Sequence, residues 1–325
     1  MLQGLGATGL LLGLPTPVWS RQGDVDSKTG LVLDSRFLDH MIRPDHPESP
    51  DRLRHIQALF EAEGLLANCQ RITPREHPGE ILHALHSDSH IDSIASHYPD
   101  AHRVALLASG GAIAAAEAIM AGDIRRAFCA SRPPGHHAQS SGEEEGFCYY
   151  NHVAIVARHL QQQHELKRIL IADWDYHHGD ATEAMFYDDP SVLFFSTHDV
   201  DAYPGTGHPS RRGSGDGEGY SINVSLDCGD GDREIMRAFE QKLLPAADAF
   251  KPDFVLVSAG FDSRKDDSLG CFEVTDRGFA ELSKLMLDIA ERHCDGRLLS
   301  ILEGGYNLEG NAKAAAAHLG AMIER

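Results

Sequence analysis

The sequence predicts an α/β domain of three layers, a mostly parallel sheet between two layers of helices. Three observations carry that prediction. Short apolar runs rich in β-branched and large side chains recur along the chain, segments with helical spacing lie between them, and polar, glycine-rich stretches follow the runs. Continuous apolar runs suit strands covered on both faces, which is the condition of a parallel sheet. Helices alternating with strands supply the two covers.

The strand candidates, in order, are Leu31-Val32-Leu33, Ala127-Phe128-Cys129-Ala130, Ile169-Leu170-Ile171-Ala172, Val192-Leu193-Phe194-Phe195, Phe254-Val255-Leu256-Val257 and Leu298-Leu299-Ser300-Ile301-Leu302. Residues 110–120 form an alanine-rich helix candidate. Residues 152–160 form another, with Asn151 placed as its N-cap. Residues 234–250 and 276–293 carry apolar side chains at i, i+3, i+4 spacing. No internal repeat or long Pro/Ser linker divides these elements. One domain over 31–325 is expected, and that length can bury a large core.

Residues 1–30 stand apart. The first 20 are rich in Gly and Leu, and the first basic residue is Arg21. A signal peptide would show a basic start and a small-x-small cleavage site, and neither is present. Two readings stay open: a disordered leader, or the remnant of a twin-arginine export signal whose arginines precede Met1. The first goes with a cytoplasmic protein and the second with a periplasmic one.

Acidic residues outnumber basic ones, 49 to 29. That balance argues against binding a phosphate backbone. It suits solubility, and it would attract cationic partners such as amines or lysine-rich segments. No apolar run approaches the ~20 residues of a membrane span, so no membrane association is expected. An oligomer stays open. None of the six cysteines forms a Cys-x-x-Cys pair, which argues against a thiolate metal site. Cys129, Cys148, Cys271 and Cys294 read as reduced packing residues.

Chemistry in a parallel sheet is expected beyond the carboxyl ends of the strands. There, Asp173-Trp174-Asp175-Tyr176-His177-His178-Gly179-Asp180 leaves an apolar strand with three acids and two histidines in eight residues. Extended backbone projects Asp173, Asp175 and His177 to one side. Packing them together is costly without a cation. Asp262 ends a second strand at the same edge. Asp175, His177 and Asp262 form a mixed N/O set without thiolate, suited to zinc or iron(II) with an open position for water.

His136 and His137 follow Arg132-Pro133-Pro134-Gly135, a loop whose path is fixed by two prolines and a glycine. Beside a metal they are candidate proton-transfer groups, and Asp173 and Asp180 remain free to orient them. Tyr306, after Glu303-Gly304-Gly305, could donate to an oxyanion. Taken alone it fits packing better.

Together these segments resemble the histone deacetylase family, including bacterial acetylpolyamine amidohydrolases. The resemblance runs from about Leu31 to the C-terminus. It rests on His46-Pro47-Glu48-Ser49-Pro50-Asp51-Arg52, residues 132–137, Gly146-Phe147-Cys148, residues 173–180, Pro204-Gly205-Thr206-Gly207, Ala259-Gly260-Phe261-Asp262 and residues 303–306. It implies an arginase-like αβα fold with a central, mostly parallel sheet of about eight strands. It also implies a zinc-dependent deacetylase with ligands Asp175, His177 and Asp262. The tandem histidines would be His136 and His137, partnered by Asp173 and Asp180, and Tyr306 would polarise the acetyl carbonyl. Phe147 and Tyr203 correspond to the walls of an acyl-lysine tunnel, with Tyr203 standing where many relatives have Phe. Arg52 and Cys148 fall at an internal acetate cavity. Structural potassium would be bound through Asp173, Asp175, His177, Ser196 and Thr197.

The Asp-Trp-Asp and Leu-Glu-Gly-Gly-Tyr segments are similar to the class II branch, where Asp180 is more often Asn. The expected substrate is acetyl-lysine in proteins or peptides, with acetylpolyamines or other small acetylated amines as the alternative. Some polyamine-selective relatives carry an acid seven residues after the metal Asp, where this chain has Leu269. The acids Glu143, Glu144, Glu145, Asp266 and Asp267 read mainly as solvated loop charge. An inactive acetyl-lysine-binding protein is a remote reading, because Tyr306 and both histidines are intact.

Overall fold

The structure, a computed structural model, describes Met1 and residues 29–325. The expected leader therefore lies outside the described residues, apart from Met1 and the last two positions. Thr29 and Gly30 already belong to strand β1 (Thr29–Val32).

Five further apolar runs form strands as expected: β3 (Arg126–Cys129), β4 (Ile169–Asp173), β5 (Val192–His198), β7 (Phe254–Ala259) and β8 (Leu298–Leu302). Each is buried along its whole length. Two strands carried no such signal. β2 (Gln70–Arg71) is two exposed residues, and β6 (Ser221–Ser225) is polar and only half covered. They are the two edges of an eight-stranded, all-parallel sheet of order β2-β1-β3-β8-β7-β4-β5-β6. An edge strand has one neighbour and one open side, so its composition lacks the apolar run of a central strand.

The helices cover both faces, as the three-layer prediction requires. On one face lie α2 (Asp88–His97), α3 (Pro99–Ala121), α4 (His152–His164) and the short α5 (Asp180–Met185) against α4. On the other, α1 (Pro50–Ala62) packs on α9 (Leu308–Ile323), which packs on α8 (Asp276–Cys294), with α6 (Asp232–Ala238) and α7 (Leu244–Phe250) against α8. Helix α8 buries Phe279, Leu282, Met286, Ile289 and Ala290 along one stripe. Burying each large side chain stabilises the fold by roughly 1.5–3 kcal/mol. Thr275 caps the helix, its Oγ1 accepting from Gly278 N at 3.1 Å. Asn151 caps α4 as expected, accepting from Ala154 N.

Several boundaries differ from the sequence reading, each for a physical reason. Helix α3 begins eleven residues before Gly110. Gly110 is not a helix start: a Cβ there would lie 2.2 Å from Arg75 O, so glycine serves close packing. At 23 residues, α3 is also long and apolar enough to cross a membrane by length and composition, contrary to the sequence expectation. Two-thirds of its apolar window is buried inside the protein, against α4, β1, β3 and β8. The single helix expected over 234–250 is α6, a π-turn at Phe239–Leu243 and α7. Pro245 lacks the N–H that would bond to Gln241, and the wider turn precedes it. Cys271 is not a reduced packing residue, being disulfide-bonded to Cys228 with a Cα–Cα distance of 5.1 Å. The sequence separation of 43 hides that proximity in the sequence. Cys129, Cys148 and Cys294 are buried and free, as expected.

Candidate active site

Strands β3, β8, β7 and β4 are consecutive neighbours in the sheet and parallel. Their carboxyl ends deliver His136 and His137, Glu303 and Tyr306, Asp262, and Asp173 to His177 respectively. The chain thereby brings to one edge the segments that sequence reasoning singled out.

At the centre, His177 Nδ1 lies 3.1 Å from Asp175 Oδ1 and 3.0 Å from Asp262 Oδ2. The outer oxygens are already occupied: Asp175 Oδ2 accepts from Gly304 N at 2.8 Å and Asp262 Oδ1 from Tyr176 N at 2.9 Å. One oxygen of each carboxylate therefore converges with the imidazole nitrogen, and the three groups can hold a metal ion. Both aspartates are fully buried. Burial pushes Asp262 up to about 7, with the Asp175 charge adding to it. Burial opposes a charge on His177, but Asp175 and Asp262 outweigh it and lift the imidazole to about 10. Two carboxylates and one imidazole compressed in this way are the donors a divalent cation would relieve. Glycines make the approach feasible. A Cβ at Gly260 would lie 2.0 Å from Asp175 Oδ2, and one at Gly304 2.1 Å from Asp262 Oδ2.

The tandem histidines stand beside this cluster with ring centroids 4.0 Å apart. His136 Nδ1 meets Asp173 Oδ2 at 2.9 Å, and His137 Nδ1 meets Asp180 Oδ1 at 2.7 Å. Gln139 Nε2 donates to the other oxygen of Asp180 at 2.6 Å. Burial disfavours charge on both rings. For His136 the charges of Asp175 and Asp173 win and raise it well above its ordinary value. For His137 burial and the neighbouring His136 prevail over Asp180 and push it down to about 4. The pair is thus electrically unequal.

Glu303 received no role from the sequence, yet it braces the loop. Its Oε2 accepts from Gly135 N at 2.6 Å and His136 N at 3.2 Å, and its Oε1 accepts from Ser258 Oγ at 3.1 Å. Burial pushes its carboxyl up to about 7. A second support lies behind it. Glu48 holds Arg132 through paired bonds of 2.8 Å, and Arg132 also donates to Phe37 O and His40 O. Burial works against the Glu48 charge, but Arg132, His40 and Arg52 hold it well below the usual carboxylate range. Arg52 is fully buried, donates to Gly305 O at 2.6 Å and Glu303 O at 2.5 Å, and lies 5.0 Å over the Tyr306 ring. Cys148 is buried within metal-ligand reach of His136 and Glu303.

A cavity of about 430 Å³ leads to these groups. It is lined by the expected tunnel residues Phe147, Tyr203 and Leu269, by Tyr306, and by Tyr176 and Ala202, which received no role from the sequence. Tyr203 stands edge-on to His137 at 5.1 Å, and Phe147 edge-on to Tyr306 at 6.1 Å. Burial raises the Tyr306 phenol well above its ordinary value, so it is a protonated donor. The loop acids are not all solvated charge, which corrects that reading. Asp267 Oδ2 accepts from Tyr306 N and Asn307 N, and its Oδ1 from Leu269 N. Glu144 accepts from Phe147 N at 2.7 Å, and Glu145 from Tyr203 Oη at 3.4 Å. An acid three residues before a positive-φ Phe147 was the available hint. Ser196 and Thr197 lie on β5 with Ser196 registered against Asp173. Ser196 Oγ bonds to His198 Nδ1 at 2.8 Å.

Comparison with known proteins agrees with this fold. A family model of the histone deacetylase domain matches residues 46–322. A probable deacetylase of Archaeoglobus fulgidus is 40% identical over 298 residues, covering 87% of this chain and 82% of that protein. Histone deacetylase 15 of Arabidopsis thaliana is 37% identical over 320 residues, covering 91% of this chain and 57% of the plant protein. The crystal structure of the HDA15 HD domain matches with a TM-score of 0.85 at 36% identity, covering 91% of this chain and 90% of that one. With an eight-stranded parallel sheet of arginase-like form and the site at its carboxyl edge, the chain belongs to the histone deacetylase family of hydrolytic deacetylases.

Proposed function

We propose that the protein is a zinc-dependent deacetylase that hydrolyses N-acetyl amides, with acetyl-lysine in proteins or peptides as the main substrate. The observation that carries this reading is the convergence of Asp175 Oδ1, His177 Nδ1 and Asp262 Oδ2 beside a cavity that His137 and Tyr306 also line. Asp175, His177 and Asp262 would hold the zinc ion, and the chemistry it would supply there is Lewis-acid polarisation of an amide carbonyl and of a water, whose pKa such sites lower to about 7.

The remaining roles fall to the chain. His137, the less basic ring, takes the proton of the attacking water. His136 stays charged between Asp173 and Asp175 and stabilises the negative charge that develops. Tyr306 donates its phenolic proton as a hydrogen bond to the oxyanion, and Phe147 and Tyr203 hold the acyl-lysine stem. His137, once protonated, passes its proton to the leaving amine. Arg52 and Cys148 line the exit for acetate behind Tyr306. Potassium is assigned to Asp173, Asp175, His177, Ser196 and Thr197. Support comes from Thr197 Oγ1, which is buried with no hydrogen-bond partner among the described residues. An oxygen ligand to a cation would satisfy it.

The test compares kcat/KM for an acetyl-lysine peptide and for N8-acetylspermidine, in wild type and Asp262→Ala, with and without chelator. Both activities should fall by at least ~10³-fold in Asp262→Ala and on chelation, and the peptide should be preferred. Activity that survives both treatments would overturn the zinc reading. A preference for acetylspermidine would move the substrate to small acetylated amines, which Glu145 at the cavity mouth could attract.

A further inference from the structure

A second group of metal-ligating side chains lies outside the catalytic edge. Glu117 is on α3, and His159 and His164 are on α4. Both imidazoles aim their Nε2 atoms at the same oxygen, Glu117 Oε1, at 2.5 Å from His159 and 3.0 Å from His164. The three donor atoms lie within 4.8 Å of one another. The two rings face each other edge-on, with centroids 6.1 Å apart.

The position in the fold is favourable to a cation. His164 is the last residue of α4, and Glu117 lies four residues before the end of α3. Both helices therefore present their carboxyl ends, where unpaired carbonyls concentrate partial negative charge. In a parallel sheet with right-handed crossovers, helix carboxyl ends lie by the amino edge of the strands. The cluster is thus at the end of the molecule opposite Asp175, His177 and Asp262. His159 is mostly buried, whereas the side chains of His164 and Glu117 are about one-quarter and one-third exposed. Three ligands on two rigid helices, with one side open to water, meet the requirements of an N/O zinc site. Tetrahedral ligands at the usual bond lengths stand ~3.3 Å apart. The partly exposed Glu117 and His164 can open by that small amount without moving a helix.

We propose that Glu117, His159 and His164 bind a second divalent ion of the zinc type, which clamps α3 to α4. The carboxylate and two neutral imidazoles would supply the ligands, each ring coordinating through its Nε2 lone pair and carrying its single proton on Nδ1. The clamp stabilises the folded state in proportion to the logarithm of free metal.

The test uses tag-free, full-length protein with its catalytic metal in place. After equilibrium dialysis against micromolar zinc, wild type should retain about two equivalents and His164→Ala about one. Deacetylase kcat/KM of His164→Ala should stay within about twofold of wild type. Added zinc should raise the Tm of wild type and not that of His164→Ala. His164 is partly exposed, so its loss leaves the core intact. Glu117→Gln is the second variant and should behave the same way. Asp262→Ala should still retain the ion that Asp262→Ala/His164→Ala loses, which separates this site from the catalytic one. Equal zinc retention by wild type and His164→Ala would overturn the proposal, as would a zinc-dependent Tm that persists in both variants.

Discussion

Glu303 shows what a single residue contributes behind the reacting groups. It touches neither the proposed ligands nor the cavity, but its carboxylate fixes the backbone of Gly135 and His136 and the hydroxyl of Ser258. Supporting hydrogen bonds of this kind are commonly worth 10–100-fold in activity. Glu303→Ala should therefore lower kcat by about 10–100-fold with KM for an acetyl-lysine peptide nearly unchanged. A change confined to KM would show that Glu303 shapes the tunnel instead. The residues proposed as ligands were legible in the sequence largely because several ionisable groups alternate on the exit of one strand. The role of Glu303 is not legible in the sequence, since its partners are backbone N–H groups 167 and 168 residues away. Asp267 was hidden for the same reason, accepting from Tyr306 N and Asn307 N across 39 and 40 residues.

Strands were legible in proportion to how deeply they are buried. The six central apolar runs and helices α4 and α8 came directly from periodicity, whereas the edge strands β2 and β6 did not. The first helix of the family segment, α1, begins at Pro50 and draws its buried face from Leu53, Ile56 and Phe60. That short stripe sits inside a stretch that drew attention for its motif. Capping is a property of elements and can be tested on α8. Thr275 Oγ1 accepts from Gly278 N and donates to Asp232 Oδ2 at 2.7 Å, tying α8 to the start of α6. Thr275→Ala should destabilise the protein by about 1–2 kcal/mol in urea unfolding, and Thr275→Ser by much less. An equal loss in both would place the effect in the methyl group and not in the two hydrogen bonds.

At the scale of the whole molecule, buried histidines set the acid limit. Burial pushes His86, His152 and His318 down to about 3, 4 and 3. His86 donates from Nδ1 to Gln139 O and accepts Asn151 N–H at Nε2, so protonation would break an existing bond. Each folded pKa lies below the unfolded value of ~6.5, so the unfolded chain binds more protons below that pH. Stability is full above pH ~6.5 and falls as pH drops toward ~3–4, by up to about 1.4 kcal/mol per pH unit for each group. The urea midpoint should decline steeply between pH 6.5 and 4.5, and less steeply in His318→Gln. An unchanged slope in that variant would remove His318 from the account. The order of strands has a different consequence. β7 and β8 are the last strands made, yet they lie between β3 and β4. A nascent chain synthesised through His177 would therefore hold His136, His137 and two of the three proposed ligands, with β7 and β8 still absent from between β3 and β4. On the proposed roles, hydrolytic competence requires residues 254–306, which fill that gap with β7 and β8 and bring Asp262 and Tyr306 to the site, so a shorter growing chain would carry no working catalyst.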